Sequence, residues 1–299
     1  MNIFSIIKKE IKRKHKKKFR KEHENILAEK IIDHYSNKKN ITEEENEAVE
    51  YLKNNGFSIF PYKWYNDGYN PQSVKVFIDD PSGLKYVYQD KKKIYFPRKW
   101  KEKKIQSAWN GLLLEQHIQS PHRYLTDSFD ITQDDIIIDV GAAEGNLSLS
   151  VVEKCKKIYL FETSLKWIEA LEQTFRPWKE KVVIVKKYAS DKNTKNEITL
   201  DNFFGENFPD NLFIKLDVEG AELSVLKGCN KLLSNCRNIK VAACTYHKQN
   251  DPEIISEFLI EKGFSIDFSK GFLTFFTDFE ELNWPYLLRR GILRAIKTN

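Results

Sequence analysis

The pattern of apolar and polar positions divides the chain into three zones. In the first, residues 1 to about 60, apolar side chains recur at helical spacing, as at Ile7 and Ile11, which predicts helices. Residues 57–100 are rich in aromatic side chains and turn residues, and their short alternating segments predict a small β-hairpin. From about residue 131, apolar runs of strand length alternate with helical stretches. The third zone therefore predicts an α/β fold.

The third zone carries the pattern of a parallel sheet. Five buried strands are predicted in it, at 136–140, 158–161, 182–186, 212–217 and 239–245. Helical segments separate most of these strands, which predicts helices on both faces of the sheet. A last pair of strands, 264–268 and 271–276, is expected to close one edge of the sheet as an antiparallel hairpin.

Positive charge is concentrated at the N-terminus. Residues 8–21 contain ten Lys or Arg and one Glu, and the rest of the chain has 39 basic against 42 acidic residues, a net charge of −3. The body of the protein is therefore not a basic nucleic-acid reader. We predict a basic amphipathic arm at residues 1–21 and, from the apolar and basic residues that follow Trp284, a second amphipathic segment at 281–299.

The two basic ends leave three interpretations open: a solvated surface, contact with anionic lipid, or RNA binding. Two amphipathic ends favour peripheral membrane contact over nucleic acid. The longest apolar runs are far shorter than the roughly 18 residues of a membrane-spanning helix. The N-terminal sequence lacks the pattern of a signal peptide, and the four cysteines have neither CxxC nor zinc spacing. We therefore expect a cytoplasmic protein, with peripheral contact at the inner face of the membrane as a hypothesis.

The first candidate site follows strand 136–140. That strand runs into Val140-Gly141-Ala142-Ala143-Glu144-Gly145-Asn146, and a helix begins there. Small residues allow the backbone to turn sharply and approach a ligand, while the helix N-terminus offers free N–H groups. The next strand ends at Glu162, 21 residues after Gly141, where an acidic residue binds ribose hydroxyls. The pattern predicts a nucleotide-cofactor site at the carboxyl edge of the sheet.

The charge of this loop bears on the identity of the cofactor. A dinucleotide-binding loop has the spacing G-x-G-x-x-G, whereas here only Gly141 and Gly145 are present. Glu144 lies where a pyrophosphate would pass, and Asp139 ends the strand. This negative charge disfavours a diphosphate and suits the cationic S-adenosylmethionine. An NAD-dependent sugar oxidoreductase remains an alternative, although the loop lacks the third glycine of a dinucleotide-binding site.

A second motif lies at 213–222, where the sequence FIKLDVEGAE is followed by VLKG. Its buried strand delivers Asp217 to the carboxyl edge, where catalytic groups gather. Glu219 and Glu222 fall at the start of the next predicted helix, and complementarity to the helix dipole accounts for both.

With these motifs, the segment from about 131 to 277 resembles the FkbM family of S-adenosylmethionine-dependent methyltransferases. The resemblance is carried by IIDVGAAEGNLSL, by the LFE that ends the second strand, and by IKLDVEGAE with VLKG. The stretch from Cys244 to His247, the Glu115-Gln116 pair and the SPHRY sequence at 120–124 are similar to one subset of the family. Ala143-Glu144 stands where the family usually has Asn-Ile.

The resemblance implies the class I methyltransferase fold, a Rossmann-like, seven-stranded, mostly parallel sheet with helices on both faces. The methyltransferase domain would span 131–280. Residues 22–130 would form an α-rich extension with a small β-hairpin, which we interpret as a substrate cap. The implied activity is O-methylation of a sugar or natural-product hydroxyl, for example in surface polysaccharide. The rival class is a membrane- or RNA-binding protein on an inactive scaffold, and the intact Glu162 and Asp217 argue against it.

The implied roles fall into three groups. The expected cofactor-binding residues are Asp139, Gly141, Ala142, Glu144, Gly145, Asn146, Glu162, Thr163, Ser190, Asp191 and Asp217. The expected catalytic residues are His247 as general base, Asp217 as its partner, and His122 as the reserve candidate. The expected acceptor-binding residues are Glu115, Arg123, Glu219 and Tyr246. The two histidines and Asp217 could in principle hold a divalent ion, but they come from three separate segments, so we assign no metal and leave the participation of a divalent ion open.

Overall fold

The computed structural model describes residues 3–275 and 287–298, with side chains from residue 18 onwards. The chain forms two compact units. One comprises Met1–Asn66 with Gly271–Arg289, and the other Asp67–Lys270 with Arg290–Asn299. Of the predicted C-terminal amphipathic segment, residues 281–286 and 299 lie outside the described residues.

The first unit is built around two helices, α1 (Ile3–Ser36) and α2 (Glu43–Asn55), and a short α3 (Lys63–Gly68) begins at its end. The predicted arm and the helical stretch after it are one continuous helix. Where α1 packs against α2, Ile31 and Leu52 are buried. Thr42 caps α2, because its hydroxyl accepts from the Glu45 N–H while the Glu45 carboxylate accepts from the Thr42 N–H. In the described part of the chain, no helix combines the length and hydropathy that a bilayer crossing requires.

The second unit opens with a small antiparallel sheet of β1 (Phe77–Ile78), β2 (Lys85–Gln89) and β3 (Lys92–Phe96), followed by α4 (Glu102–Glu115). The predicted hairpin is therefore confirmed. Asp90 and Lys91 connect β2 to β3 with φ angles of 47° and 67°. Positive φ at both central residues is the geometry of a tight two-residue hairpin turn.

The rest of the chain alternates strands and helices. Its elements are β4 (Ile136–Val140), α5 (Asn146–Val151), β5 (Lys157–Phe161), α6 (Leu165–Thr174), β6 (Val182–Val185), β7 (Tyr188–Ala189), β8 (Glu197–Ile198), α7 (Leu200–Phe204), β9 (Asn211–Leu216), α8 (Glu222–Lys227), α9 (Asn230–Asn235), β10 (Asn238–Cys244), α10 (Asp251–Glu261), β11 (Ser265–Phe268) and β12 (Ile292–Thr298). Seven of the strands form one large sheet in the order β11-β12-β10-β9-β4-β5-β6. β12 runs antiparallel to both of its neighbours, and the other pairs are parallel. The arrangement confirms the predicted class I methyltransferase fold.

Both faces of the large sheet are covered. Successive residues of β4, Ile137 and Ile138, are fully buried but belong to two different apolar clusters. Phe213 and Ile214 of β9 divide between the same two clusters. Because side chains alternate across a strand, a strand buried on both faces is apolar throughout. This explains why the central strands stood out in the sequence as continuous apolar runs.

The C-terminal segment differs from its prediction. Residues 292–298, expected in an amphipathic basic tail, form β12 between β10 and β11. The predicted partner of β11, residues 271–276, contributes in its described part only an isolated bridge between Leu273 and Arg289. The basic residue Arg294 is used internally, because its guanidinium donates to the backbone carbonyls of Arg123 and Tyr124. These contacts attach the 123–124 segment to the sheet.

We expect Leu293→Ala to lower the free energy of unfolding by about 2–5 kcal/mol, because the Leu293 side chain is fully buried in β12. Ile296→Ala in the same strand is the matched control. Its side chain is 40% exposed, and we expect a loss of about 1 kcal/mol or less. Chemical denaturation of the two variants measures both values. Equal, small losses would mean that this segment is a surface tail.

Candidate functional site

A cavity of about 460 Å³ opens at the carboxyl ends of β4, β5 and β9. Its wall includes Gly141 after β4, Glu162 after β5, Ser190 after β7, and Asp217 and Glu219 after β9. The volume is within the range of small-molecule sites. The sequence placed the cofactor site at this edge of the sheet.

The loop after β4 has a backbone that requires glycine at two positions. Gly141 has a φ of +76°, and a Cβ atom there would lie 2.0 Å from the carbonyl oxygen of Asp217. Gly145 also has a φ of +76°, and a Cβ atom there would lie 2.9 Å from the ring of Phe175. Gly141 therefore allows the loop after β4 to touch the loop after β9, while Gly145 allows the start of α5 to pack closely.

A buried lysine fixes the position of the loop after β4. Lys215 in β9 is 5% exposed, and its ammonium lies 2.7 Å from the carbonyl oxygen of Gly141 and 3.0 Å from Oδ1 of Asp139. Burial alone would lower the pKa of Lys215, but Asp139 and Asp217 raise it above its usual value. Ser148 donates to the other oxygen of Asp139. Asp139 thus serves as a counter-ion inside the domain and is not one of the residues that line the cavity.

Glu162 lines the cavity and is oriented by two backbone donors. Its Oε2 accepts from the Ala143 N–H at 3.0 Å and its Oε1 from the Ser164 N–H at 2.7 Å. Each carboxylate oxygen keeps a further lone pair, which a ribose hydroxyl could use. Thr163, beside it, also belongs to the wall.

The far end of the cavity lies near Ser190, which lines it, and the exposed Asp191, which does not. Asp191 instead accepts a hydrogen bond from the hydroxyl of Ser224, a lining residue. Sequence reasoning missed Ser224 and Tyr188 as parts of this wall. Tyr188 carried a usable signal, because it is an aromatic residue close after the third strand, at the edge where ligands bind.

Four more residues of the loop after β4 were expected at the cofactor, and none of them is among the lining residues of the described cavity: Ala142, Glu144, Gly145 and Asn146. Glu144 is buried, and burial raises its pKa to about 8, with Glu115 acting in the same direction. At neutral pH Glu144 is therefore mostly protonated. It does not add the negative charge that the argument from sequence assigned to it. Asn146 is oriented within the loop, where its side-chain oxygen accepts from the Leu147 N–H.

Asp217 stands where the cavity meets a cluster of polar side chains. Its Oδ2 accepts from the Tyr124 hydroxyl at 3.0 Å, and its Oδ1 lies 3.5 Å from the Tyr246 hydroxyl and 3.6 Å from Nε2 of His247. Burial on its own would raise the pKa of Asp217, but neighbouring cations, Lys215 first, bring it below its usual value. Asp217 is therefore ionised at neutral pH.

His247 is 8% exposed and lies among three carboxylates. Its Nδ1 is 2.9 Å from Oε1 of Glu222, and its Nε2 is 3.6 Å from Asp217 and 3.7 Å from Glu219. Burial alone would lower the pKa of His247, but Glu222, Asp217 and Glu219 together raise it above its usual value. Glu222 is the main partner that sequence reasoning missed, because its position at a helix start already explained an acidic residue.

The reserve histidine belongs to the same cluster. His122 is 5% exposed, and its Nε2 lies 3.1 Å from the Tyr246 hydroxyl and 3.8 Å from the Cys244 sulfur. The ring of Tyr246 contacts the rings of both His122 and His247. The structure thus brings together two histidines that the sequence separates by more than a hundred residues.

Of the remaining expected acceptor residues, Glu115 has a pKa raised first by burial and further by Asp217, which puts it beside the cluster. Arg123 is not a lining residue of the cavity, and its backbone carbonyl accepts from Arg294. Glu219 lines the cavity, and its backbone φ of 54° is in the left-handed region.

Two sets of side chains bring possible metal-ligand atoms within 4.8 Å of one another. They are His122 with Asp217 and Cys244, and Asp217 with Glu222 and His247. Imidazole and carboxylate are donors that divalent ions accept. Asp217 is common to both sets, so a divalent ion in either set would lie beside the cavity.

Residues 140–266 match the family model of the methyltransferase FkbM domain. No curated protein matches the chain. Among solved structures, the chain is similar to methyltransferase FkbM from Methylobacillus flagellatus KT at 17% identity, over 65% of this chain and 54% of that chain, with a TM-score of 0.44. An rRNA methylase from Streptococcus thermophilus has 13% identity over 56% of this chain and 89% of its own, with a TM-score of 0.36. A putative methyltransferase from Streptococcus mutans in complex with SAH has 14% identity over 56% of this chain and 91% of its own, with a TM-score of 0.38. This chain therefore spans about half the length of the Methylobacillus protein.

We expect Gly141→Ala to weaken the binding of S-adenosylhomocysteine by about tenfold or more, which corresponds to about 1.4 kcal/mol. The added methyl would meet the Asp217 carbonyl and would also strain the left-handed backbone. Gly111→Ala is the matched control, because a Cβ atom there meets nothing within 4 Å and the residue lies in α4. Titration calorimetry measures both affinities. Wild-type affinity in Gly141→Ala would show that the two loops do not form the binding site together.

Proposed function

We propose that the chain is an S-adenosylmethionine-dependent O-methyltransferase whose acceptor is a hydroxyl of a sugar or glycan, because residues 140–266 match the family model of the methyltransferase FkbM domain. The observation that carries this proposal is the pair of Asp217 and His247. An ionised carboxylate lines the cavity, and an imidazole nitrogen lies 3.6 Å from it. This pair suits the removal of a proton from a neutral hydroxyl group.

The residues of the cavity fit the cofactor. When bound, S-adenosylmethionine supplies a methyl group activated by its sulfonium charge. The close backbone approach at Gly141 leaves room for the methionine part, and Glu162 would accept from the ribose hydroxyls. Ser190 would meet the adenine, and Asp191, which does not line the cavity, would act on that end of the cavity through its hydrogen bond with Ser224. Asp217, ionised and on the wall, favours a positive charge beside it.

The acceptor side would be formed by the cluster around Asp217. A sugar hydroxyl is a poor nucleophile while it is protonated, so a base placed at its oxygen helps the transfer by about 10²–10⁴-fold. Nε2 of His247 would take that proton as the oxygen attacks the methyl carbon. Asp217 and Glu219 would orient the hydroxyl, and Tyr246 and Glu115 would bind neighbouring hydroxyls of the acceptor.

The predicted substrate cap is supported on this side of the site. Tyr124, near the end of the 22–130 segment, donates to Asp217, and His122 contacts Tyr246. The strand β12 holds residues 121–124, because Arg294 donates to the Tyr124 carbonyl and the Ile292 N–H donates to the Pro121 carbonyl. Acceptor contacts from this part of the chain would thus be fixed relative to Asp217.

The alternatives are less well supported. An NAD-dependent oxidoreductase would need a diphosphate site, and the loop after β4 has no third glycine. Because Glu144 is mostly neutral, it would not repel a diphosphate. The preference for S-adenosylmethionine over NAD therefore rests on the missing third glycine and on the negative charge of Asp217. A binding protein on an inactive scaffold would not need a buried imidazole within reach of a carboxylate on the cavity wall.

We also propose that the protein acts at the cytoplasmic face of an anionic membrane, through its N-terminal arm. The arm lies within α1, a continuous helix of 34 residues, and holds ten Lys or Arg. Each basic residue near an anionic surface contributes about 1 kcal/mol of attraction. The C-terminal segment no longer supports this proposal, because residues 292–298 form β12.

The acceptor class can be tested with S-adenosylmethionine carrying a tritiated methyl group. We expect label to pass to neutral methyl glycosides or to isolated polysaccharide and to resist alkali, because a methyl ether is stable where a methyl ester is hydrolysed. RNA and primary amines are the matched competing acceptors. Label found only in RNA or only in amines would contradict the proposal.

We expect His247→Ala to keep its affinity for S-adenosylmethionine within a few fold and to lose about two orders of magnitude in turnover. His122→Ala should keep most of its turnover. In the wild type, kcat/KM should rise with pH as the imidazole loses its proton. Since three carboxylates raise the pKa of His247, the midpoint of that rise should lie above about 6.5. A fully active His247→Ala together with an inactive His122→Ala would move the base to the upstream segment.

Deletion of residues 1–21 should leave the affinity for S-adenosylhomocysteine unchanged and abolish sedimentation with anionic vesicles. The first buried side chain in the described part of α1 is His23, so the deletion spares the packed part of the helix. A control with Lys179→Glu, Lys192→Glu and Lys195→Glu removes exposed positive charge elsewhere and should still sediment. Equal sedimentation of the truncated and full-length proteins would contradict the membrane role.

A further inference from the structure

Glu222, at the start of α8, is buried more deeply than a helix-dipole role requires. Its side chain is 0% exposed, although a carboxylate that only complements a helix N-terminus can remain in water. Burying an ionised carboxylate is costly unless hydrogen bonds and charges compensate for the lost water. The groups that face Glu222 should therefore account for its position.

One carboxylate oxygen of Glu222 receives most of these contacts. Oε1 accepts from the backbone N–H of Val218 at 2.9 Å and of Gly220 at 3.4 Å, and Nδ1 of His247 lies 2.9 Å from it. Oε2 has no hydrogen-bond partner among the described residues. The same oxygen thus holds the loop that carries Asp217 and Glu219, and it also faces the imidazole.

The contact with Glu222 determines which imidazole nitrogen carries the proton. Oε1 already accepts from two backbone N–H groups, so it faces Nδ1 as an acceptor, and Nδ1 of a neutral His247 is the protonated nitrogen. Nε2 is then the free base, and it faces Asp217 and Glu219, both of which line the cavity. Partners on one ring nitrogen commonly fix the tautomer and the orientation of a working histidine in this way.

We propose that Glu222 is the positioning residue of this site, holding His247 in the tautomer whose Nε2 faces the cavity. This proposal rests on the proposed role of His247 as the base. It adds that the buried Glu222 carboxylate contacts both the imidazole of His247 and the loop that carries Asp217. The distance between the base and the wall of the cavity is therefore fixed.

The charges around His247 come from several elements. The groups that act on it are Asp217 and Glu219 in the loop after β9, Glu222 in α8, Asp251 in α10, and the adjacent Lys248. The negative charges outnumber the single lysine, and Glu222 is the one in hydrogen-bond distance. Removal of the Glu222 charge should therefore lower the pKa of His247 more than removal of any more distant carboxylate.

The test uses the full-length protein, saturated with S-adenosylhomocysteine and labelled with ¹⁵N in its histidines. The His247 signals are identified by their loss in His247→Gln. In the wild type, the neutral imidazole should carry its proton on Nδ1. In Glu222→Leu, no acceptor faces Nδ1, so the proton of the neutral imidazole should move to Nε2, and the pKa of His247 should fall by about one unit or more.

Two variants serve as controls. Glu257→Gln removes an exposed carboxylate from α10 and should change neither tautomer nor pKa. Glu222→Asp keeps the charge and should restore the Nδ1 proton, at least in part. A role confined to packing would give both Glu222 variants the same loss of stability without a tautomer change.

Three results would overturn the proposal. The first is a Glu222→Leu protein that binds S-adenosylhomocysteine and keeps the wild-type tautomer and pKa of His247. The second, which holds even if that variant does not fold, is a wild-type His247 protonated on Nε2. The third is stoichiometric broadening of the wild-type signals by Mn²⁺, because the cluster would then be a metal site. Failure of the base assignment is separate, since it is decided by the turnover of His247→Ala and not by these spectra.

Discussion

The buried ammonium of Lys215 is the interaction on which the site depends. It donates to the carbonyl of Gly141 and pairs with the carboxylate of Asp139. Its positive charge also lowers the pKa of Asp217. Removing one partner of a buried ion pair costs about 3–5 kcal/mol, because the other charge is left uncompensated. The position of the loop after β4 and the ionised state of Asp217 therefore share one cause.

The two parts of the proposed site meet at Asp217. Towards β4 and β5, the wall is formed by backbone turns and by Glu162, whose carboxylate is held by two N–H groups. Towards α8 and β10, the side chains of Tyr124, Tyr246 and His247 surround the same aspartate. A cationic cofactor and a neutral hydroxyl would thus be brought to opposite sides of one carboxylate.

The sequence allowed the parallel sheet, Glu162 and Asp217 to be predicted, because buried strands are apolar on both faces and their carboxyl ends gather functional groups. β12 was not predicted, because the apolar residues from Ile292 to Ile296 fit a helix as well as a strand, and strand pairing over long sequence separations leaves no local signal. The roles of Glu222 and Glu144 depend on burial and on neighbours distant in sequence. The protonation of Glu144 and the contact between Glu222 and His247 therefore could not be derived from the loop motifs alone.

Titration calorimetry of the protein with S-adenosylhomocysteine and with NAD tests whether the cavity beside Asp217 binds the cofactor of a methyltransferase. We expect one S-adenosylhomocysteine to bind per chain, no binding of NAD, and a loss of about 1.5–3 kcal/mol of binding free energy in Glu162→Ala, where a charged hydrogen-bond partner of the ribose is removed. Binding of NAD without binding of S-adenosylhomocysteine would contradict the proposed cofactor site, and unchanged affinity in Glu162→Ala would contradict the placement of the ribose.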